Sequence, residues 1–78
     1  MKDLLSFIVE GITGTTEFEV EETVDGRKID LLIKADPEIM GMIIGKQGST
    51  IRAIRHLLRV KSTLDQTSVF VEVTEKTE

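Results

Sequence analysis

The sequence predicts an α+β domain in the order α-β-β-α-α-β, with a three-stranded mixed sheet covered on one face by three helices. Three observations lead there. Apolar residues recur at helical spacing near the amino terminus and again after residue 49. They alternate with polar residues on either side of Asp25-Gly26 and once more near the carboxyl end. Gly45 and Gly48 punctuate the middle of the chain, between two helical segments.

Each element follows from local pattern. Leu4, Leu5, Ile8, Val9 and Ile12 have the period of an amphipathic helix, which Gly11 and Gly14 bring to a stop. From Thr16 the period becomes two: Phe18 and Val20 face one way, Glu17, Glu19 and Glu21 the other, as on a strand with one solvated side. Asp25-Gly26 signals a tight hairpin, after which Ile29, Leu31, Ile33 and Ala35 continue the inward face. Asp36-Pro37 ends this strand, because proline donates nothing to a ladder and already has the φ that opens a helix. A short helical turn from Pro37 to Ile43 reaches the glycines. A longer helix runs from Ser49 to about Ser62, with Ser49 or Thr50 as its cap. Thr67 to Thr74 alternates with Val69, Val71 and Val73 inward, and the tail 75–78 is expected to fray. The second and third strands are joined through two helices, so a right-handed crossover makes them parallel while the hairpin is antiparallel.

Composition narrows the chemistry. Seventy-eight residues suit one domain, 1–78, ordered over about 2–74, near the lower size at which a core holds without staples. With no cysteine and one histidine, the chain offers no disulfide, no thiolate nucleophile, no zinc cage and no histidine-based triad. The expectation is a protein that is not an enzyme, with no catalytic residue, metal, cofactor or small-molecule substrate. Its apolar runs fall far short of the roughly 20 residues that span a bilayer, so a soluble cytoplasmic protein with no membrane partner is expected. Glu17, Glu19 and Glu21 read as a solvated sheet face rather than a metal comb, and as a surface that repels polyanions. Phe7, Phe18 and Phe70 fall within apolar patterns, which argues against an aromatic stacking platform. Leu32 and Phe70 are out of phase with their inward neighbours and would meet on the uncovered side of the sheet, a spot suited to self-association.

The charge is unevenly spread. The net charge is −4, yet residues 46–64 carry five basic side chains, Lys46, Arg52, Arg55, Arg59 and Lys61, and no acidic one. Residues 1–30 carry eight acidic and three basic side chains. Salt screens exposed charges over roughly 8–10 Å, so a polyanion at the basic region feels that region and not the total. Arg52, Arg55, His56 and Arg59, spaced i, i+3, i+4, i+7, share one face of the long helix, with Ile51, Ile54, Leu57 and Leu58 expected on the core side. His56 reads as a surface residue. Arg59 and Lys61 lie far from the glycines and are free to pair with acidic side chains.

A Gly-x-x-Gly between helices lets the backbone turn sharply and approach a ligand without Cβ obstruction, beside amides at positive potential. Here the stretch is Ile44-Gly45-Lys46-Gln47-Gly48-Ser49-Thr50-Ile51. It resembles the KH family signature, and the element order is similar to the type II, bacterial arrangement over nearly the whole chain. The resemblance implies a type II KH fold that binds single-stranded RNA. The loop would clamp the backbone of about four unpaired nucleotides. Ile44, Gly45, Lys46, Gln47, Gly48, Ile51, Arg52 and Arg55 are then the RNA-binding candidates, with Ile43, Ile44 and Ile51 flooring a groove flanked by the last strand near Val69 and Val71.

The resemblance further implies an RNA chaperone or post-transcriptional regulator that forms a homodimer and pairs with a larger KH-containing protein. The dimer contact would fall on the long helix, in competition with the basic stripe. One departure stands out: the tight turn within Thr23 to Arg27 occupies the place of the variable loop that helps close the groove in type II KH domains. Alone, the domain should bind weakly, and a dimer would compensate through avidity. The alternative is an assembly module that keeps the fold and has little RNA affinity of its own.

Overall fold

The computed structural model describes residues 1–76. The elements are α1 (Lys2–Thr13), β1 (Phe18–Asp25), β2 (Lys28–Ala35), α2 (Pro37–Ile44), a 3-10 turn (Lys46–Gly48), α3 (Ser49–Leu64) and β3 (Ser68–Glu75). The sheet order is β1-β2-β3, with β1 and β2 antiparallel and β2 and β3 parallel. The predicted α-β-β-α-α-β order and mixed sheet are therefore present, and the fold is that of a type II KH domain. Among the described residues no helix is long and apolar enough to cross a membrane.

Burial explains the arrangement. β2 lies in the middle, so its inward residues Leu31, Ile33 and Ala35 are fully enclosed, together with Leu5 and Val9 of α1, Ile43 of α2, and Ile54 and Leu58 of α3. Each such Leu, Ile or Val contributes on the order of 1.5–3 kcal/mol by leaving water. β1 is covered over only part of its length: Val20 is buried, whereas Val24, in the same phase, is exposed at the hairpin end. Between them Glu22 also points to the helix side, where its Oε2 accepts the backbone N–H of Lys2 at 3.1 Å. That carboxylate satisfies a free donor and complements the positive end of α1.

Several boundaries differ from expectation. Gly11 stays within α1, which ends at Gly14 in the left-handed conformation, its N–H donating to the Glu10 carbonyl. β1 begins two residues after Thr16. Asp25 pairs with Lys28, so the hairpin loop is Gly26-Arg27, with φ +60° at Gly26 as a turn with glycine first requires. β3 runs on to Glu75, and the Lys76 N–H donates to the Ala35 carbonyl at 2.8 Å, so the ladder holds the first part of the expected fraying tail. Residues 77 and 78 lie outside the described part.

The open face of the sheet is an ion-paired surface. Lys34 Nζ lies 2.9 Å from Glu21 Oε1, Lys76 Nζ 3.7 Å from Glu19, and Lys28 Nζ 3.9 Å from Asp30. The Glu21 hydrogen bond and charge raise the Lys34 pKa above its ordinary value. Leu32 and Phe70 do share this face but do not stand opposite each other: Leu32 faces Glu72, and Phe70 faces Asp30. The expected apolar spot is thus interrupted by charge.

Candidate nucleic-acid interface

The turn between α2 and α3 is built almost entirely from left-handed backbone. Gly45 has φ 75° and ψ 177°, Gln47 φ 55° and ψ 27°, and Gly48 φ 76° and ψ 14°. The Gly45 combination is open essentially to glycine alone, and Gln47 accepts a conformation that side chains normally avoid. Position 45 is closed to a side chain for a second reason: a Cβ there would collide with Thr50 Oγ1 and lie 2.6 Å from Thr50 Cβ.

Thr50 therefore packs on the Gly45 backbone, and neither it nor Ser49 caps α3. The N-cap is Gly48, with no side-chain cap bond. The correction has a simple cause, since the 3-10 turn feeds directly into the helix: the Gly48 N–H donates to the Gly45 carbonyl at 3.2 Å, and the Ser49 N–H to the Lys46 carbonyl.

Two of the arginines are tied to the backbone. Arg52 Nη1 donates to the Gln47 carbonyl at 3.0 Å, which holds the strained residue and keeps a guanidinium against the loop. Arg55 Nε donates to the Val71 carbonyl at 3.1 Å, fastening α3 to the outer edge of β3. Both partners are neutral, so both side chains keep their full positive charge. Lys46 and Gln47 are exposed at the tip of the turn. Lys61 pairs with Asp65 at 3.2 Å, in line with its expected distance from the site.

The apolar candidates divide. Ile44 is half-buried beside the loop, Ile51 is almost fully buried beneath it, and Ile43 is completely enclosed and belongs to the core rather than to a groove floor. Leu57 is also corrected: it is 54% exposed, because Ile51, Ile54 and Leu58 already occupy the core-facing arc. A cleft of about 300 Å³ runs between α3 and the edge of β3, lined by Arg55, Arg59, Val69, Phe70, Val71 and Glu72. Val69 and Val71 were expected there. Phe70 was not, although its phase, opposite to that of Val69 and Val71, was a signal that it could not be core.

The chain matches other proteins over almost its whole length. Residues 2–73 match the family model described as KhpA/KhpB, KH domain. An RNA-binding protein KhpA of Clostridium perfringens is 34% identical over 74 residues, covering 94% of this chain and 99% of that one. The protein of the same name from Clostridium acetobutylicum is 35% identical over the same span. That from Chlamydia caviae is 36% identical over 77 residues, 96% of this chain and 97% of its own. With a left-handed glycine hinge between two helices and a parallel strand pair behind it, the likeness extends from motif to topology to full length, and the chain belongs to the KhpA/KhpB family of KH domains.

Proposed function

We propose that this protein is a non-enzymatic, cytoplasmic RNA-binding protein that grips single-stranded RNA through Gly45-Lys46-Gln47-Gly48. The observation that carries the reading is the loop itself: a strained, glycine-dependent turn that lifts Lys46 to its tip and holds Arg52 at its base through a neutral carbonyl. A phosphate set there meets two positive charges that no carboxylate among the described residues pairs and, at Gly45 and Gly48, backbone that no Cβ screens. Ile44 presents the apolar flank over the buried Ile51, Arg55 marks the edge of β3, and unpaired bases lie between. The names of the KhpA relatives support RNA as the ligand.

The protein acts as a homodimer, and with a larger KH-containing partner, as an RNA chaperone or post-transcriptional regulator. Ala53, Leu57, Val60 and Leu64 follow a 4-3-4 spacing and are exposed, Val60 by 50% and Leu64 by 77%. This is the seam of a helix that pairs with another helix. At about 100° per residue the seam is centred well over 90° around α3 from Arg52, Arg55 and Arg59, so pairing and RNA contact use different faces.

Amide NMR of the labelled protein tests both parts. Titration with an unstructured oligoribonucleotide is expected to move Gly45 to Arg52 most and Glu19 and Glu21 least, while dilution without RNA moves Ala53, Leu57, Val60 and Leu64. Shifts at the seam alone, with a silent loop, would favour the assembly reading.

A further inference from the structure

Phe70 is 52% exposed and stands on the outermost strand of the sheet. Lys28 Nζ lies 5.3 Å from its ring centroid, so one face is polarised by a cation while that lysine also pairs with Asp30. Among the described residues no strand covers the outer edge of β3, so the cleft there takes residues from both sheet faces: Val69 and Val71 from the helix side, Phe70 and Glu72 from the open side. Across it stand Arg55 and Arg59 of α3. Arg59 is seven residues beyond Arg52, or about 10 Å further along the helix from the loop. The Arg55 bond to Val71 lies between the two ends.

We propose that Phe70, with Arg59 and Glu72, forms an additional nucleotide subsite at the far end of the groove, stacking one base beyond those held at the glycine loop. The proposal rests on the loop reading above. A half-exposed ring beside arginines is what a single strand uses for sequence-tolerant stacking, because every base has a π-face. Charge orients the nucleotide: its phosphate lies toward Arg59, and its base, whose amino group can donate to a carboxylate, lies toward Glu72. The subsite also compensates for the short Gly26-Arg27 turn, since it adds contact at the edge strand where no long loop folds over the RNA.

The test compares end-labelled oligoadenylates of four and eight nucleotides by fluorescence anisotropy, using wild type, Phe70→Leu, and Lys46→Asp with Gln47→Asp. Phe70→Leu is expected to weaken the octamer about tenfold and leave the tetramer unchanged, while the loop variant loses both. An octamer affinity unchanged by Phe70→Leu, with binding still lost in the loop variant, overturns the subsite and leaves the loop reading standing. Binding that survives the loop substitutions but not Phe70→Leu overturns the loop reading, and with it the idea of an extension. Because the chain has no tryptophan, Phe70→Trp supplies a direct reporter. Its emission should be quenched by the octamer and not by the tetramer, and emission indifferent to both also overturns the proposal.

Discussion

The open face of the sheet and the edge formed by the glycine loop and α3 handle charge in opposite ways. On the open face Lys34, Lys76 and Lys28 meet Glu21, Glu19 and Asp30, so each cation is answered by a carboxylate. At the loop edge, among the described residues, Arg52 and Arg55 bond only the carbonyls of Gln47 and Val71. A hydrogen bond to a neutral carbonyl fixes a guanidinium in place without cancelling it. Within 46–64 Lys61 is paired with Asp65, but the guanidinium charges of Arg52 and Arg55 stay open beside Lys46 in a chain whose total is −4. The lesson is that net charge says little about a polyanion site, whereas the identity of each cation's partner says a great deal.

The sharpest way to break this contrast is to damage the loop geometry. Gly45→Ala should cost about 3 kcal/mol from the forbidden backbone region alone, with a further penalty from Thr50, and should abolish RNA binding. Urea unfolding measures the first effect, and adding Thr50→Ala should restore part of it. An unchanged midpoint would show that the turn relaxes freely and is not the strained device described here.

Arg52→Gln sharpens the comparison with less disruption. A neutral side chain can still reach the Gln47 carbonyl, so the fold should hold while RNA affinity falls several-fold. The slope of log K against log salt should also shrink by about 0.7, the value for one phosphate contact on a single strand. If affinity falls with no change of slope, Arg52 acts by positioning the loop and not through its charge. The smallest effect belongs to the other face: Glu19→Gln with Glu21→Gln should leave affinity for a preferred RNA nearly unchanged and modestly raise non-specific binding at low salt, read from a competition titration.

Much of this is legible in the amino-acid sequence alone. The alternation around Gly26 and from Val69 to Val73, the helical period of Ile51, Ile54 and Leu58, and the two-helix connection were enough for element order and parallel pairing, because periodicity and crossover handedness are local or topological properties. The loop could be located for the same reason, since Gly45 and Gly48 announce backbone that other residues avoid. Tertiary partners were not legible. Nothing in the residue order says that Arg55 reaches Val71, sixteen positions away, or that Thr50 packs on Gly45 instead of capping α3. Leu57 and Ile43 were misplaced by the same gap: a helical period identifies an apolar arc, but only the neighbouring elements decide how wide the buried part is. The phase of Phe70 placed it on the uncovered side of the sheet, but not at the cleft beside Arg59, because that depends on where α3 lies against β3.

The central claim is that the loop between Gly45 and Gly48 is the phosphate clamp. Its most direct test is the affinity of a short unstructured RNA at two salt concentrations for wild type and for Lys46→Asp with Gln47→Asp, with circular dichroism showing both folded. The account predicts a salt-dependent constant for wild type and loss of at least tenfold in the variant. Equal binding by both would contradict it and leave the arginines of α3 acting without the loop.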